Sequence, residues 1–440
     1  MREEKLQLFI CYNTLMHILI ISIFILGYAA IALEHPLKIN KTATALLTGV
    51  LCWTIYILSS LNKELISEQL YEHFGQIAGI LFFLLGAMTI VEIIDAHDGF
   101  NVITSKIKTR DKRALLWIIS IITFFLSSVL DNLTTTIVMV SLIRKIITDK
   151  PTRLFFIGMI VIAANAGGAW SPIGDVTTTM LWISGQITTL NIIVHLILPS
   201  LVCLIVPLVY LSFKIKGSIE NITNTPQEQS TISRFEQNLI LALGIGALIF
   251  VPVFKTITGL PPFMGILFGV GILWLVTEIM HRDKHPNEKD TFSVVSALQK
   301  ADVPSVLFFL GILVAISALE STHVLSSLAT YMDNTIGNLN VIVISIGLLS
   351  SIVDNVPLVA ATMGMYDMQT FPPDHYFWTF IAYCAGTGGS CLIIGSAAGV
   401  AAMGMEKIDF VWYLKKITML ALVGYLAVAL FFIAQEYLLR

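Results

Sequence analysis

Charged residues are scarce in this sequence. Of its 440 residues only 12% are Asp, Glu, Lys or Arg and 56% are hydrophobic, with a mean hydropathy of +0.83. Soluble domains carry about 25% charged residues, so the composition excludes an ordinary soluble protein and indicates an integral membrane protein. The net charge of −3, without a basic run interleaved with aromatic residues, argues against a nucleic-acid partner.

Cysteine is also rare, and the cysteines do not occur in pairs. None of the five shows the C-x2-C spacing that is typical of zinc or redox sites. We interpret them as small buried hydrophobic residues, and the sequence predicts no cofactor. They are Cys11, Cys52, Cys203, Cys384 and Cys391.

Long apolar segments are what the sequence has in abundance. The first, 6–33, is too long for a signal-peptide core and lacks a convincing cleavage site, so we interpret it as a retained span. A span needs about 20 residues, and the fourth and fifth segments of each half are longer and interrupted by polar or glycine-rich sequence. The segments fall near 6–33, 41–61, 75–94, 113–148, 153–187 and 190–213, then 238–254, 262–280, 303–320, 338–366, 376–404 and 410–435.

The two sets of six segments are related in sequence. S-S-V-L-D-N at 127–132 recurs as S-S-I-V-D-N at 350–355, a spacing of 223 residues. A-N-A-G-G-A-W-S-P-I-G-D at 164–175 lines up with A-G-T-G-G-S-C-L-I-I-G-S at 385–396, at a spacing of 221. F-F-L-L-G and F-F-L-G precede them in the same order. The order and spacing indicate a duplicated chain, with a first repeat over 1–213, a cytoplasmic linker over 214–237 and a second repeat over 238–440.

Basic residues predict how the chain is threaded. Segment 113–148 is flanked by the cluster at 106–113 and by Arg144 to Arg153, so both of its ends are expected in the cytoplasm and the segment is expected to be a re-entrant hairpin. The flanks of the equivalent segment, 338–366, contain no Lys or Arg, so this hairpin is expected to enter from outside. This threading leaves all but five of the 26 Lys and Arg residues on the cytoplasmic side.

The predicted fold is therefore an all-α polytopic membrane protein built as an inverted repeat. Each half is expected to have five membrane crossings, one of them broken, plus one re-entrant hairpin. The broken helices are predicted at 153–187 and 376–404. Carriers of this architecture bind their ions at the repeat interface near the bilayer midplane.

Polar residues at the two predicted hairpin tips and the two predicted breaks (165–174 and 386–390) all offer oxygen atoms. Carboxylate, amide and hydroxyl oxygens are the ligands that hard cations prefer. No Lys or Arg lies within these tips and breaks, although helix N-termini alone can also hold anions. The polar residues are Asp131, Asn132, Thr134, Thr135, Asn165, Asp175, Thr177, Thr178, Asp354, Asn355, Thr387 and Ser390.

Three intramembrane carboxylates, Asp131, Asp175 and Asp354, are the strongest functional indication. A charged Asp at the centre of a span costs about 2.5–3.5 kcal/mol on insertion scales, and such residues are usually functional. A buried carboxylate can hold a proton or a metal cation but not both at once, which is the requirement for cation/proton exchange. A structural alternative stays open for Asn132 and Asn355, since each could cap the second helix of its hairpin.

Four further residues are candidates for a proton pathway. Histidine titrates near physiological pH, and an acidic residue near the end of a span can pass protons to it. A solvated position at the membrane interface is the alternative for each of them. The four are Asp95, His97, Glu320 and His323.

With these motifs, the chain resembles the NhaD family of sodium/proton antiporters, within the ion-transporter superfamily of inverted-repeat carriers. The most discriminating stretch is N-A-G-G-A-W-S-P-I-G-D-V-T-T-T-M-L-W from 165 onward. The resemblance implies exchange of internal Na⁺ or Li⁺ for external protons, a homodimer, and a place in a bacterial-type cytoplasmic (inner) membrane. The ion-binding candidates at matching positions are Ser127, Asp131, Asn132, Asn165, Asp175, Thr177, Thr178, Ser350, Asp354, Asn355 and Ser390.

We predict that the primary Na⁺ site is in the first half, because Asp175 aligns with Ser396 and Asn165 with Gly386. The Na⁺ ligands are expected to be Asp131, Asn165, Asp175 and Thr178, with Asp354 and Asn355 approaching from the other hairpin. Three alternatives remain: a carrier of an oxyanion or small carboxylate, an intramembrane aspartyl protease and a passive channel. The duplicated Asp-Asn pairs argue against the protease, so we predict that the chain is not an enzyme.

Overall fold

The computed structural model describes the chain except for residues 1, 61, 105, 106, 108, 219–231, 283–291 and 440. The greater part of the predicted linker 214–237 therefore lies outside the described residues. The regular structure of the described residues is helical, apart from one isolated bridge between Asp111 and Ser218. The predicted all-α class is confirmed.

The first half of the chain contains ten helices. They are α1 (Arg2–Ala32), α2 (Glu34–Leu37), α3 (Lys41–Ser59), α4 (Lys63–Ala96), α5 (Asn101–Thr104), α6 (Lys112–Ser127), α7 (Asn132–Ile146), α8 (Lys150–Ala169), α9 (Val176–Ile183) and α10 (Thr189–Lys214).

The described part of the second half contains eleven helices. They are α11 (Arg234–Thr258), α12 (Pro262–Met280), α13 (Val294–Lys300), α14 (Val303–Ser321), α15 (Val324–Ile336), α16 (Leu339–Leu349), α17 (Asn355–Met365), α18 (Tyr376–Gly388), α19 (Ala397–Glu406), α20 (Phe410–Lys416) and α21 (Thr418–Leu439).

Nine helices of the described chain are long and apolar enough to cross a membrane, or ten if the bent pair α15–α16 is one span. Each of the nine falls on a segment that the sequence predicts as a crossing. The remaining predicted crossing, 376–404, is occupied by the two shorter helices α18 and α19. The chain is therefore a multi-span membrane protein.

The chain divides into two compact units, each discontinuous in sequence. Unit 1 comprises Met1–Phe82, Asp302–Ile342 and Val356–Pro372. In it α3 packs closely on α14, because Gly49 lies against the carbonyl of Gly311 and leaves no room for a side chain. The indole Nε1 of Trp53 donates to the carbonyl of Val314 at 2.9 Å across the same helix pair.

Unit 2 comprises Phe83–Ala301, Val343–Asn355 and Pro373–Arg440, and it contains the polar residues singled out in the sequence. Its centre is α8, which is buried almost continuously from Phe156 to Ala169 and packs against α6, α7, α10, α18 and α19. Small residues make this possible, since Ala164, Asn165, Ala166, Gly167 and Gly168 let the neighbouring helices approach the α8 backbone.

Aspartates cap α6 and α8, the helices that begin at the two basic ends of segment 113–148. Asp111 accepts hydrogen bonds from the backbone N–H groups of Arg113 and Ala114 at the start of α6. These bonds lower the pKa of Asp111, the Ala114 bond most, so this carboxylate stays ionised at the positive end of the helix dipole. Asp149 caps α8 in the same way, and hydrogen bonds from Thr152 lower the pKa of Asp149.

Candidate functional site

Asp175 is the buried carboxylate around which the polar side chains of unit 2 gather. It caps α9 and is the last residue of the irregular stretch 170–175, which separates α8 from α9. Its side chain is almost fully buried, with 1% exposure. The Oδ1 atom accepts hydrogen bonds from the backbone N–H of Thr177 at 2.8 Å and from the Thr177 hydroxyl at 2.7 Å. Capping therefore fixes the orientation of the carboxylate.

Two asparagines connect Asp175 to neighbouring helices. The Asn132 amide donates to Oδ2 of Asp175 at 2.6 Å and to Oδ1 of Asn165 at 2.9 Å. Asn165, fully buried on α8, donates in turn to the hydroxyls of Ser390 at 2.8 Å and Ser396 at 2.9 Å. The network joins the tip between α6 and α7 to both irregular stretches, 170–175 and 389–396.

The second Ser-Ser-x-x-Asp-Asn motif also reaches Asp175. The Asn355 amide lies 3.5 Å from Oδ1 of Asp175, a long contact at the limit of a hydrogen bond. Gly386, the counterpart of Asn165, is nearby, because a Cβ on it would stand 3.9 Å from Oδ2 of Asp175. The structure thus brings Asn132, Asn165, Thr177 and Asn355 around one carboxylate.

The carboxylates of Asp131 and Asp354 act on Asp175 through their charge. Asp131 accepts from the backbone N–H and the hydroxyl of Thr134, both at 2.7 Å, and so caps α7. The alternative that Asn132 caps this helix is wrong, because the preceding aspartate occupies the cap. The Asn132 side chain is thereby left to join the buried network.

Three predicted ligands use their hydroxyls on backbone carbonyls. Ser127 donates to Ala164 at 2.6 Å, and its counterpart Ser350 donates to Ala385 at 3.0 Å. The Thr178 hydroxyl donates to the carbonyl of Asp175 itself at 2.9 Å. Ser127 thus joins the end of α6 to α8, and Ser350 joins the end of α16 to α18 while also donating to the carbonyl of Gly347 at 2.7 Å.

The first glycines of the two glycine-rich sequences serve close packing, and the helix breaks begin after them. The expectation that 165–174 and 386–390 are themselves the breaks is wrong at their N-terminal ends, since α8 continues to Ala169 and α18 to Gly388. A Cβ at Gly167 would collide with the carbonyl of Phe124, and one at Gly388 would collide with the carbonyl of Gly347. These glycines are required by helix contact.

Two residues of this region were not among the predicted ligands. Ser396 caps α19, accepts a hydrogen bond from Asn165 and occupies the position equivalent to Asp175. Its alignment with Asp175 in the repeated motif is the sequence feature that indicates a place for Ser396 beside the predicted ligands. Tyr413, which is buried, donates to the carbonyl of Ser390 at 2.9 Å. Nothing in the sequence around Tyr413 indicates this contact.

The four candidates for a proton pathway have different surroundings. Asp95, Glu320 and His323 are exposed, while His97 is fully buried. In unit 1, Glu320 lies beside Gly364 on α17. In unit 2, His97 lies 3.0 Å from His281, measured between the two Nε2 atoms. The alternative of a solvated interfacial position is therefore wrong for His97.

The arrangement around Asp175 suits a small hard cation. Carboxylate, amide and hydroxyl oxygens are within reach of one another, and none of the described residues in these hydrogen bonds is Lys or Arg. The Asn132 amide now presents its nitrogen to Asp175. Because the two ends of an amide differ only by a rotation of the last side-chain bond, the same residue can present oxygen to a cation held by the carboxylate.

Comparison with known proteins gives consistent results. A family model described as "Citrate transporter" matches residues 28–381. Sodium/proton antiporter 1 of Arabidopsis thaliana is 50% identical over 407 residues, which cover 92% of this chain and 70% of the relative. Sodium/proton antiporter 2 of the same plant is 48% identical and is covered to 96%.

A bacterial relative, the Na(+)/H(+) antiporter NhaD of Vibrio cholerae, is 29% identical over 439 residues, covering 92% of this chain and 88% of the relative. These relatives are transporters, and the prediction that the chain is not an enzyme is confirmed. The resemblance stated from the motifs is confirmed as well. This chain belongs to the citrate-transporter family, and its relatives there include the NhaD-type sodium/proton antiporters.

Proposed function

We propose that this protein exchanges Na⁺ or Li⁺ for protons across the cytoplasmic (inner) membrane. The observation that carries the proposal is the buried Asp175 carboxylate, enclosed by the amides of Asn132 and Asn165 and the hydroxyl of Thr177. The relatives named as sodium/proton antiporters support the choice of ions. In this account Asp175 binds either the cation or the proton, so each ion displaces the other.

Cation binding replaces the hydrogen bonds that the carboxylate now accepts. When Na⁺ binds Asp175, the amide of Asn132 turns its oxygen toward the ion. Asn165 already directs its oxygen to this side and keeps its nitrogen on Ser390 and Ser396. Asp131 and Thr178 complete the ligand set predicted from the sequence, while Asp354 contributes negative potential. When the carboxylate is protonated, the attraction for Na⁺ is lost and the cation leaves.

The membrane potential supplies part of the driving force. Moving one elementary charge across 100 mV is worth about 2.3 kcal/mol. An exchange in which more protons enter than sodium ions leave moves net charge inward, so the potential and the proton gradient both drive Na⁺ out. The three carboxylates Asp131, Asp175 and Asp354 offer more than one proton-binding group for such a stoichiometry.

The architecture that we propose for this exchange is the inverted repeat with two re-entrant hairpins. Helices α6 and α7 have 16 and 15 residues, about 24 and 22 Å at 1.5 Å per residue, and neither reaches across a hydrocarbon core of about 30 Å. The matched contacts of Ser127 and Ser350 support the repeat. Its proposed boundaries remain 1–213, 214–237 and 238–440.

A homodimer completes the proposal, with one transport site in each protomer. Dimer formation follows from the resemblance to the NhaD family.

A second candidate function is transport of a small carboxylate, which the description of the family model favours. The N-termini of α9 and α19 could hold an anion through backbone N–H groups. Against this candidate, the N-terminal residues of α9 are already bonded to the Asp175 carboxylate, which would repel a carboxylate substrate. The site chemistry favours the cation.

Inverted vesicles test the proposal. They are prepared from cells lacking their own antiporters, energised to an acidic interior and followed with a pH-sensitive dye on addition of NaCl, LiCl or KCl. We expect dequenching with Na⁺ and Li⁺ but not with K⁺, and none from Asp131→Asn or Asp175→Asn at equal protein levels. Absence of any cation response, together with citrate uptake, would establish the second candidate instead.

A further inference from the structure

Three metal-binding side chains meet in unit 2 outside the proposed transport site. His97 follows the end of α4, Glu236 lies in the first turn of α11 and His281 follows the end of α12. One ligand atom from each lies within 4.8 Å of the others. All three side chains are buried, at 0%, 8% and 2% exposure respectively. The three helix ends thus converge on one small polar cluster inside an apolar protein.

The distances in this cluster match the edges of a metal coordination shell. The two Nε2 atoms of His97 and His281 are 3.0 Å apart, and Nε2 of His281 is 3.2 Å from Oε1 of Glu236. Ligands about 2.0 Å from a tetrahedral Zn²⁺ are separated by about 3.3 Å. These two distances are therefore close to the separation of zinc ligands, and the third pair, His97 and Glu236, lies within 4.8 Å.

Hydrogen bonding sets the tautomer of one ring. Nδ1 of His97 lies 2.7 Å from the carbonyl of Ile93, and a carbonyl can only accept, so Nδ1 carries the proton. In the neutral ring Nε2, which faces His281, is then the nitrogen that carries a lone pair. Donation of the second ring nitrogen to a carbonyl or carboxylate is the usual support of a metal-binding histidine.

The surroundings favour a bound ion further. The Phe292 ring lies over both imidazoles, with centroids 5.3 Å from His97 and 5.1 Å from His281. This apolar cover limits access of water to the three side chains, and buried polar groups of this kind are stable only when they are paired or coordinate a metal. At 3.0 Å only one of the two facing Nε2 atoms can carry a proton, and a divalent cation uses both lone pairs while neutralising the carboxylate.

We propose that His97, Glu236 and His281 bind one divalent transition-metal ion of the Zn²⁺ class. Two imidazole nitrogens and one carboxylate oxygen are a ligand set that Zn²⁺ accepts with its fourth position left to another ligand. The set differs from the oxygen-rich Asp175 network, so the two sites select different ions. The bound metal ties together the ends of α4, α11 and α12.

Metal binding to the full-length protein tests this proposal. The protein is purified in detergent with its affinity tag removed, stripped with a strong chelator and titrated with Co²⁺ while visible absorption is recorded. We expect one Co²⁺ per chain, with the intense bands of a four-coordinate site, and complete displacement by Zn²⁺. A wild-type protein that takes up no Co²⁺ would show that the cluster merely shares a proton, and it would overturn the proposal.

Two variants and a control locate the site. His281→Gln and the nearly isosteric Glu236→Gln should each weaken Co²⁺ binding, by about 10–100-fold or more, the effect seen even for second-shell changes at metal sites. His323→Gln changes an exposed histidine in unit 1 and should bind as the wild type does. Thermal unfolding establishes that each variant is folded, and Glu236→Gln serves if His281→Gln is not. Unchanged affinity in a folded site variant would contradict the assignment.

Discussion

Asp175 caps α9, the short helix that follows α8, and its counterpart Ser396 caps α19, the short helix that follows α18. Around both, the packing is the same. Gly167 lies against the carbonyl of Phe124 on α6, and Gly388 lies against that of Gly347 on α16. Ser127 and Ser350 each bond to a carbonyl of the glycine-rich helix, α8 or α18. The chemistry differs, because only the first cap can be ionised. Duplicated packing with unequal polar residues is a way to build one ion site from two copies of a scaffold.

The comparison is tested most severely at the two caps. Asp175→Asn removes the group that is proposed to bind Na⁺ or the proton, and it removes charge-assisted hydrogen bonds worth about 1.5–3 kcal/mol each, so sodium-dependent proton movement should fall about 100-fold or more. Ser396→Ala removes a cap and one acceptor for Asn165, and a neutral hydrogen bond is worth about 1 kcal/mol, so about 10-fold or less is expected. Rates in vesicles, normalised to protein level, measure both. Equal losses in the two variants would show that the halves contribute alike.

The next pair of positions is Asn165 and Gly386. Asn165→Ala leaves the buried groups of Asn132, Ser390 and Ser396 without this partner. Each buried polar group left without a hydrogen bond costs about 1–3 kcal/mol. We expect the Na⁺ concentration for half-maximal exchange to rise about 10-fold or more. At Gly386 a Cβ meets only ordinary contacts, 3.7 Å from the Thr177 hydroxyl, so Gly386→Ala should stay near the wild-type value. A larger effect at Gly386 would reverse the assignment.

For the glycines that pack alike in the two halves, we expect substitutions to lower thermal stability equally. Gly167→Ala and Gly388→Ala both force a methyl group against a backbone carbonyl, and overpacking of this kind costs about 1–3 kcal/mol. Thermal unfolding in detergent should show similar losses for both. Gly246→Ala is the control, since nothing lies within 4 Å of a Cβ there. A loss confined to one half would contradict the shared packing.

The smallest expected effects are those of the two serines. Ser127→Ala and Ser350→Ala each remove one hydroxyl that donates to a backbone carbonyl, worth about 1 kcal/mol. We expect slightly lower thermal stability and an unchanged Na⁺ dependence of exchange. A marked change in Na⁺ dependence would instead make these hydroxyls direct ion ligands.

Much of this arrangement was predictable from the sequence, because the features that indicate it lie within short stretches of the chain. A carboxylate in an apolar segment and two repeated motifs at constant spacing identify Asp175 and Asn132 without coordinates. The role of Gly167 was not predictable, since a glycine-rich run indicates a helix break as readily as a close helix contact. The contact of Tyr413 with Ser390 and that of His97 with His281 join distant segments, and no local pattern encodes them.

The most direct test of the central claim is proton release on Na⁺ binding. Purified protein in weakly buffered detergent solution is mixed with NaCl while a pH indicator is read, with choline chloride as the ionic-strength control. The account predicts acidification with the wild type and with Ser396→Ala, and none with Asp175→Asn. Undiminished proton release from folded Asp175→Asn would contradict the claim that sodium and proton compete for this one carboxylate.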